Sequence, residues 1–207
     1  AAGKTELAKC PHVSDEAKSK LEEASAPPIR PVVIGTGSNA VKIGGETVLF
    51  RHEKRFENPP GIAAVVTDTM DNGEIASRLD RFKNLRYERV GKNLRAEMVY
   101  VKCESSDAAR YTALIEKVLE TGDAALVLAA DDPGLMEEAL KTAASYKPLI
   151  YAATAENMDK MGELAKTYGC PLAIKAENMD ELVELAEKLT AAGIKDLVLD
   201  SGARTLK

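Results

Sequence analysis

Three cysteines, at positions 10, 103 and 170, and two histidines, at positions 12 and 52, are the residues of this chain best suited to hold a metal or attack an electrophile. An odd set of widely spaced cysteines makes neither a disulfide framework nor a CxxC metal knuckle. Cys170 precedes Pro171 at a helix-to-strand junction, "YGCPLAI", with Gly169 placed to cap the helix, and reads as a small buried hydrophobe. Cys103 ends the apolar run "MVYVKC" and reads the same way, nearer the strand's outlet. Cys10 differs, because "GKTELAK" and "PHVSDEAK" on either side of it are polar and helical. Cys-Pro is also the form taken by the last ligand of many iron-sulfur runs. The residues alone leave Cys10 either a lone thiol or one corner of a cluster. The histidines lie forty positions apart, and His52 in "FRHEKRF" reads as part of a solvated, charged strand exit.

A second set of reactive groups stands where short apolar runs end: Asp68 and Thr69, Cys103 and Glu104, Asp131 and Asp132, Thr154, Lys175, Asp200 and Ser201. In alternating βα folds, substrates and metals meet side chains at these carboxyl ends. The same Asp and Ser residues are ordinary helix caps, and Asp132 followed by Pro133 is fully accounted for that way.

Those positions depend on the elements that carry them. From Gly61 the chain alternates near-continuous apolar runs (IAAVVTD, AEMVYVKC, AALVLAA, PLIYAAT, PLAIKA, DLVLDSG) with amphipathic helical stretches. Six strands buried on both faces, separated by five helices, predict a parallel α/β sheet: either doubly wound or the larger part of a (β/α) barrel. A barrel stopping at the sixth strand has two raw edges, so if the chain is a barrel it is a partial TIM-type (β/α) barrel. "AENMD" recurs at 155–159 and 176–180, at equivalent helix starts, which suggests shared capping. Upstream, residues 1–26 read as helical, with Ser14 as a cap, until Pro27, Pro28 and Pro31 stop the helix. Between 27 and 60 lies a linker with a β-hairpin expected around 40–51, turning at Gly44-Gly45. The expected domains are thus 1–26, 27–60 and 61–207.

Several function classes recede on composition. A net charge of −5 and 4% aromatic residues provide neither a basic field nor stacking platforms for nucleic acid. No apolar run reaches the roughly 20 residues needed to span a bilayer, and no signal-peptide core opens the chain, so a cytoplasmic protein is expected. "AAGKTEL" has the ending of a phosphate loop without its strand and first glycine. "GTGSNA" imitates a dinucleotide fingerprint, yet a hairpin follows it rather than a helix N-terminus, so a plain turn is expected.

The strings "GKTELAKCPHVSDEAK", "VVIGTG", "GGETVLFRHEKRF", "PLIYAATAENMDKMGELAKTYGCPLAI" and "KDLVLDSGAR" together resemble the large (gamma) subunit of the corrinoid iron-sulfur protein, over about the first half of such a subunit. Ser201 stands where that family is expected to have proline. The resemblance implies an N-terminal [4Fe-4S] domain, a TIM-type barrel and a corrinoid domain after Lys207. Cys10 would be the fourth cluster ligand, with the other three upstream of Ala1. It further implies a methyl carrier of the reductive acetyl-CoA (Wood-Ljungdahl) pathway of carbon fixation rather than an independent catalyst. The corrinoid cobalt would accept a methyl group from methyltetrahydrofolate or a tetrahydropterin on a methyltransferase and pass it to acetyl-CoA synthase. The cluster would restore oxidised cobalt to its active state. The implied partners are a small subunit, forming a heterodimer, and those two enzymes. The rival reading is a stand-alone barrel methyltransferase or aldolase-type enzyme using Asp68, Asp131, Lys175 and Asp200.

Overall fold

The computed structural model describes residues 14, 16, 29–46, 57–122 and 124–203. Cys10, His12, His52, most of the expected helix over 1–26 and the far side of the expected hairpin lie outside the described residues. The chain divides into two compact units, one of residues 1–31 and 44–59, the other of Val32–Ile43 with everything from Pro60 onward.

In the second unit six parallel strands form one sheet: β3 (Ala63–Thr67), β6 (Met98–Lys102), β7 (Ala125–Ala129), β8 (Leu149–Ala153), β9 (Leu172–Lys175) and β10 (Leu197–Asp200). Five helices alternate with them: α1 (Asn72–Asn84), α2 (Ala108–Leu119), α3 (Pro133–Ala143), α4 (Met158–Tyr168) and α5 (Met179–Ala191). The six expected strands and five expected helices are all present. Each strand of this sheet pairs with its neighbour in sequence, in the order β10-β9-β8-β7-β6-β3. A doubly wound sheet reverses direction at a switch point; this one does not, and right-handed crossovers then place every helix on the same face.

The two faces are covered differently. Outward residues of the strands, among them Val66, Val99, Val101, Leu126, Leu128, Ile150, Leu172 and Ile174, pack with the helices in one core. The helical side of that core follows the expected period: Tyr111, Leu114, Ile115 and Val118 lie on one stripe of α2, all buried. The Tyr111 hydroxyl, inside this core, donates to the Val101 carbonyl at 3.2 Å. Inward residues Met98, Ala125, Val127, Leu149, Ala152 and Ala173 pack instead with Val32, Ile34 and Val41. These last belong to an antiparallel hairpin, β1 (Val32–Ile34) and β2 (Val41–Ile43), in which Val32 faces Ile43 and Ile34 faces Val41.

The hairpin corrects the expected turn. The chain reverses through Gly35–Ala40, with a 3-10 turn at Gly37–Asn39, and not at Gly44-Gly45. Beyond β2 the chain runs on beside Ile29, whose carbonyl accepts from Gly45 N at 3.0 Å. "GTGSNA" is thus the plain turn expected, and its interactions are structural. Gly35 N donates to the Lys147 carbonyl at 2.9 Å, and the Asn39 amide donates to the Gly122 carbonyl at 2.7 Å. Both partners lie in loops that lead into strands, so the turn is fastened beneath the amino ends of β7 and β8.

Gly35 has φ +88°, and a Cβ there would meet both Ala125 Cβ and the Asn39 carbonyl at 3.0 Å. Gly37 also has positive φ (+59°), but a Cβ there would meet open space. Gly35→Ala is expected to cost about 2–3 kcal/mol, combining left-handed strain with a clash. Gly37→Ala carries only the strain, about 1 kcal/mol. Urea unfolding at an unchanged m-value checks the difference.

Candidate functional site

At the carboxyl ends of the strands the sequence candidates separate into two groups. The first is built around Asp68, which follows β3 and is only 4% exposed. Four groups converge on its carboxylate. Glu104 N donates at 2.7 Å, Ser105 N at 3.1 Å, the Ser105 hydroxyl at 2.5 Å and the Cys103 thiol at 3.4 Å. Burial pushes this carboxyl up, but the hydrogen bonds from Ser105, Glu104 and Cys103 outweigh it and hold Asp68 below the usual carboxylate value. The effect on Cys103 is opposite. Its half-buried thiol is pushed up to about 11, first by burial and then by Asp68. Asp68 is therefore an ionised tie between the loops after β3 and β6, with no lone pair turned toward a substrate.

Around this tie runs a further chain of contacts, from buried Thr67 outward. The Thr67 and Thr69 hydroxyls lie 2.8 Å apart, Thr69 donates to Glu104 at 2.8 Å, and Lys102 reaches the other Glu104 oxygen at 2.8 Å. Lys102 is the main reason that Glu104 is held below its ordinary value.

The second group lies on β8–β10. Lys175 and Asp200 stand directly opposite each other in register. Asp200 accepts from the Tyr151 hydroxyl at 2.5 Å and from Gly202 N at 2.8 Å. Tyr151 packs edge to face on Tyr100, with ring centroids 5.4 Å apart, on the inner side of the sheet. Thr154 and Lys175 line one shallow cleft with Glu156, Glu177 and Glu181.

The remaining candidates are structural. Asp132 caps α3, accepting from Gly134 N at 2.6 Å, as expected. Asp131 contributes its carbonyl, which accepts from the Asn157 amide at 3.0 Å. The two "AENMD" segments do not share capping chemistry. Asn178 caps α5 by accepting from Glu181 N at 2.8 Å, whereas Asn157 accepts from Thr154 N at 2.8 Å and makes no side-chain cap to its own helix. Cys170 is the buried hydrophobe expected, 5% exposed, with Gly169 in the left-handed cap position of α4.

The sequence reading missed Ser105 and Tyr151. A tyrosine amid the aliphatic run LIYAA was the available sign for Tyr151, since its hydroxyl needs a partner when half buried. Ser105 carried no such sign.

Cys170, like Cys103, has its thiol pushed up to about 11, here by burial. Among the described residues, no group of three or more His, Cys, Asp or Glu side chains is placed to hold a metal ion. No described helix is long and apolar enough to cross a membrane.

The fold and its rim therefore define a singly wound α/β scaffold whose best-held carboxylate fastens loops. Comparison with known proteins is more specific, and the chain belongs to the family described as the CO dehydrogenase/acetyl-CoA synthase delta subunit, whose model matches residues 31–207. It is 43% identical to the corrinoid/iron-sulfur protein large subunit of Moorella thermoacetica, over 99% of this chain and 46% of that one. It is likewise 43% identical to the acetyl-CoA decarbonylase/synthase complex subunit gamma of Archaeoglobus fulgidus, over 88% of this chain and 39% of the relative. A gamma 2 subunit from Methanosarcina thermophila is 38% identical, over 93% and 42% respectively. The chain spans less than half the length of these relatives. A solved enolase from Sargasso Sea environmental sequencing superposes with a TM-score of 0.44 at 18% identity, over 69% of this chain and 38% of that one, too loosely to add to the strand order.

Asp68→Asn is expected to lower stability by about 2–3 kcal/mol at pH 7, because amide hydrogens would then face backbone and hydroxyl donors. A carboxyl whose value is lowered by folding stabilises fully above its unfolded value, near 3.8, and loses that contribution as pH falls through the lower folded value. The gap between wild type and Asp68→Asn in urea unfolding should therefore narrow between pH 5 and pH 2, roughly the window of carboxylate titration; a constant gap contradicts the assignment.

Proposed function

We propose that this chain is the amino-terminal half of the large (gamma) subunit of a corrinoid iron-sulfur protein, a methyl carrier of the acetyl-CoA pathway. The observation that carries this reading is the 43% identity to a corrinoid/iron-sulfur protein large subunit across 99% of the chain. The geometry of the rim supports it. Asp68 is consumed in tying loops and Asp132 in capping a helix, which suits a scaffold that holds attached domains at fixed positions.

In this reading the six-stranded sheet is the larger part of a TIM-type barrel over 61–207, residues 27–60 lead into it, and 1–26 end a [4Fe-4S]-binding domain. Cys10 is the fourth cluster ligand, and it lies outside the described residues. The corrinoid would be held by a domain beyond Lys207, and when bound it supplies the transferable methyl site. The methyl group would arrive from methyltetrahydrofolate or a tetrahydropterin on a methyltransferase and leave to acetyl-CoA synthase, with a small subunit as heterodimer partner. The contribution of the described residues is to keep the strand ends rigid.

Anaerobically purified full-length protein should show both a corrinoid absorption spectrum and the EPR signal of a reduced [4Fe-4S] cluster. Cys10→Ala should abolish or replace the EPR signal and slow reductive activation of cobalt by about tenfold or more, the scale of a lost metal ligand. Methyl transfer to chemically pre-reduced protein should persist. Absence of both spectra from the wild-type protein overturns the proposal, and an unaltered cluster signal in Cys10→Ala overturns the ligand assignment.

A further inference from the structure

Elsewhere in the sheet a helix is followed within a few residues by the next parallel strand, but between α1 and β6 the chain inserts a second hairpin. Its strands are β4 (Arg86–Arg89) and β5 (Lys92–Arg95). All four residues of β4, and Lys92, Asn93 and Leu94 of β5, are exposed. Nothing in the core requires this excursion.

Three features of the hairpin work against its own stability. Arg89 is paired directly with Lys92, and like charges opposite each other repel. From Arg81 to Arg95 there are six cationic side chains and one carboxylate, Glu88, in a chain whose net charge is −5. Among the described residues no ion pair joins Arg89, Lys92 or Arg95 to a carboxylate. Finally, the turn places Val90 at φ 50° and Gly91 at φ 70°. A β-branched residue is strained in that region where asparagine would not be, yet Val90 is 94% exposed at the tip.

The alternation of the strands sorts these residues. Tyr87 and Leu94 face each other on one side, next to the Arg89–Lys92 pair and below Val90. An apolar pair bordered by cations is the composition of a protein interface centre, where Tyr and Arg dominate.

We propose that the hairpin over 86–95 is a docking arm for an acidic protein surface, with Tyr87, Val90 and Leu94 filling an apolar recess and Arg89 and Lys92 meeting carboxylates around it. Carboxylates of the partner would relieve the repulsion that the hairpin carries alone. A nucleic acid would find one aromatic platform here and no use for Leu94 and Val90, and a bilayer would take the tip but not the face below it.

The inference rests on the proposed function only in its choice of partners to be offered. Full-length wild-type protein, Arg89→Glu/Lys92→Glu and Tyr87→Ala/Leu94→Ala, each with unchanged thermal unfolding, would be titrated against each purified companion subunit of the acetyl-CoA decarbonylase/synthase complex. Phosphatidylserine vesicles and duplex DNA would be offered in parallel. One companion should bind the wild type, more weakly at high salt, and both variants should lose about tenfold or more in affinity. Equal binding by the variants, no companion bound, or binding to vesicles or DNA alone overturns the docking arm. The corrinoid spectrum of the same wild-type protein judges the carrier function separately.

Discussion

A parallel sheet must be covered on both faces, and the sequential strand order of this one assigns all five helices to a single side. The remainder of the structure answers that constraint. The inner face is filled from below by Val32, Ile34 and Val41 of the first hairpin, and by Tyr100 and Tyr151 further up. Lys102, Lys175 and Asp200 end the inward rows at the carboxyl side, where the face meets solvent. The hairpin turn is accordingly fastened to the loops entering β7 and β8 by one backbone bond, from Gly35 N, and one side-chain bond, from the Asn39 amide.

The same economy governs the charged rim. A buried carboxylate is tolerated only when its lone pairs are occupied, and Asp68 meets that condition with donors from a neighbouring loop. Because the donors come from the segment after β6 and the acceptor from the segment after β3, the bond set locks two strand ends together. Asp200 does the same across a longer interval, linking Tyr151 of β8 to the turn after β10. Asp68 and Asp200, which resemble catalytic groups in sequence, are thereby committed to holding strand ends.

Periodicity made the sheet legible. Short, fully apolar runs such as AALVLAA, spaced between amphipathic helical stretches, fit strands buried on both faces, and β7 is buried at every residue. Caps were legible where one residue accounts for itself, as at Asp132-Pro133 and Gly169. Three features were hidden. The first hairpin turns at "GTGSNA" because its partners are Lys147 and Gly122, more than eighty positions away, and Gly44-Gly45 offered a stronger local signal. The hairpin of Arg86–Arg95 carries charges where a buried strand would be apolar, so it has no core-facing pattern. Asn157 and Asn178 occupy identical "AENMD" contexts, yet only tertiary contacts decide which of them caps its helix. For Cys10 the residues alone leave two readings open, and its proposed ligand role rests on resemblance.

The proposed function requires that the barrel-type sheet of this chain position chemistry carried elsewhere and perform none at its own strand ends. Exposed Lys175 and half-buried Asp200, neighbours in register at the rim, are the residues on which a catalytic rival would rest. The direct measurement is the rate of cobalt methylation by methyltetrahydrofolate and methyltransferase in full-length protein bearing Lys175→Ala with Asp200→Asn. The account predicts a rate within about twofold of wild type, whereas loss of about a hundredfold or more, the scale of a removed catalytic group, contradicts it.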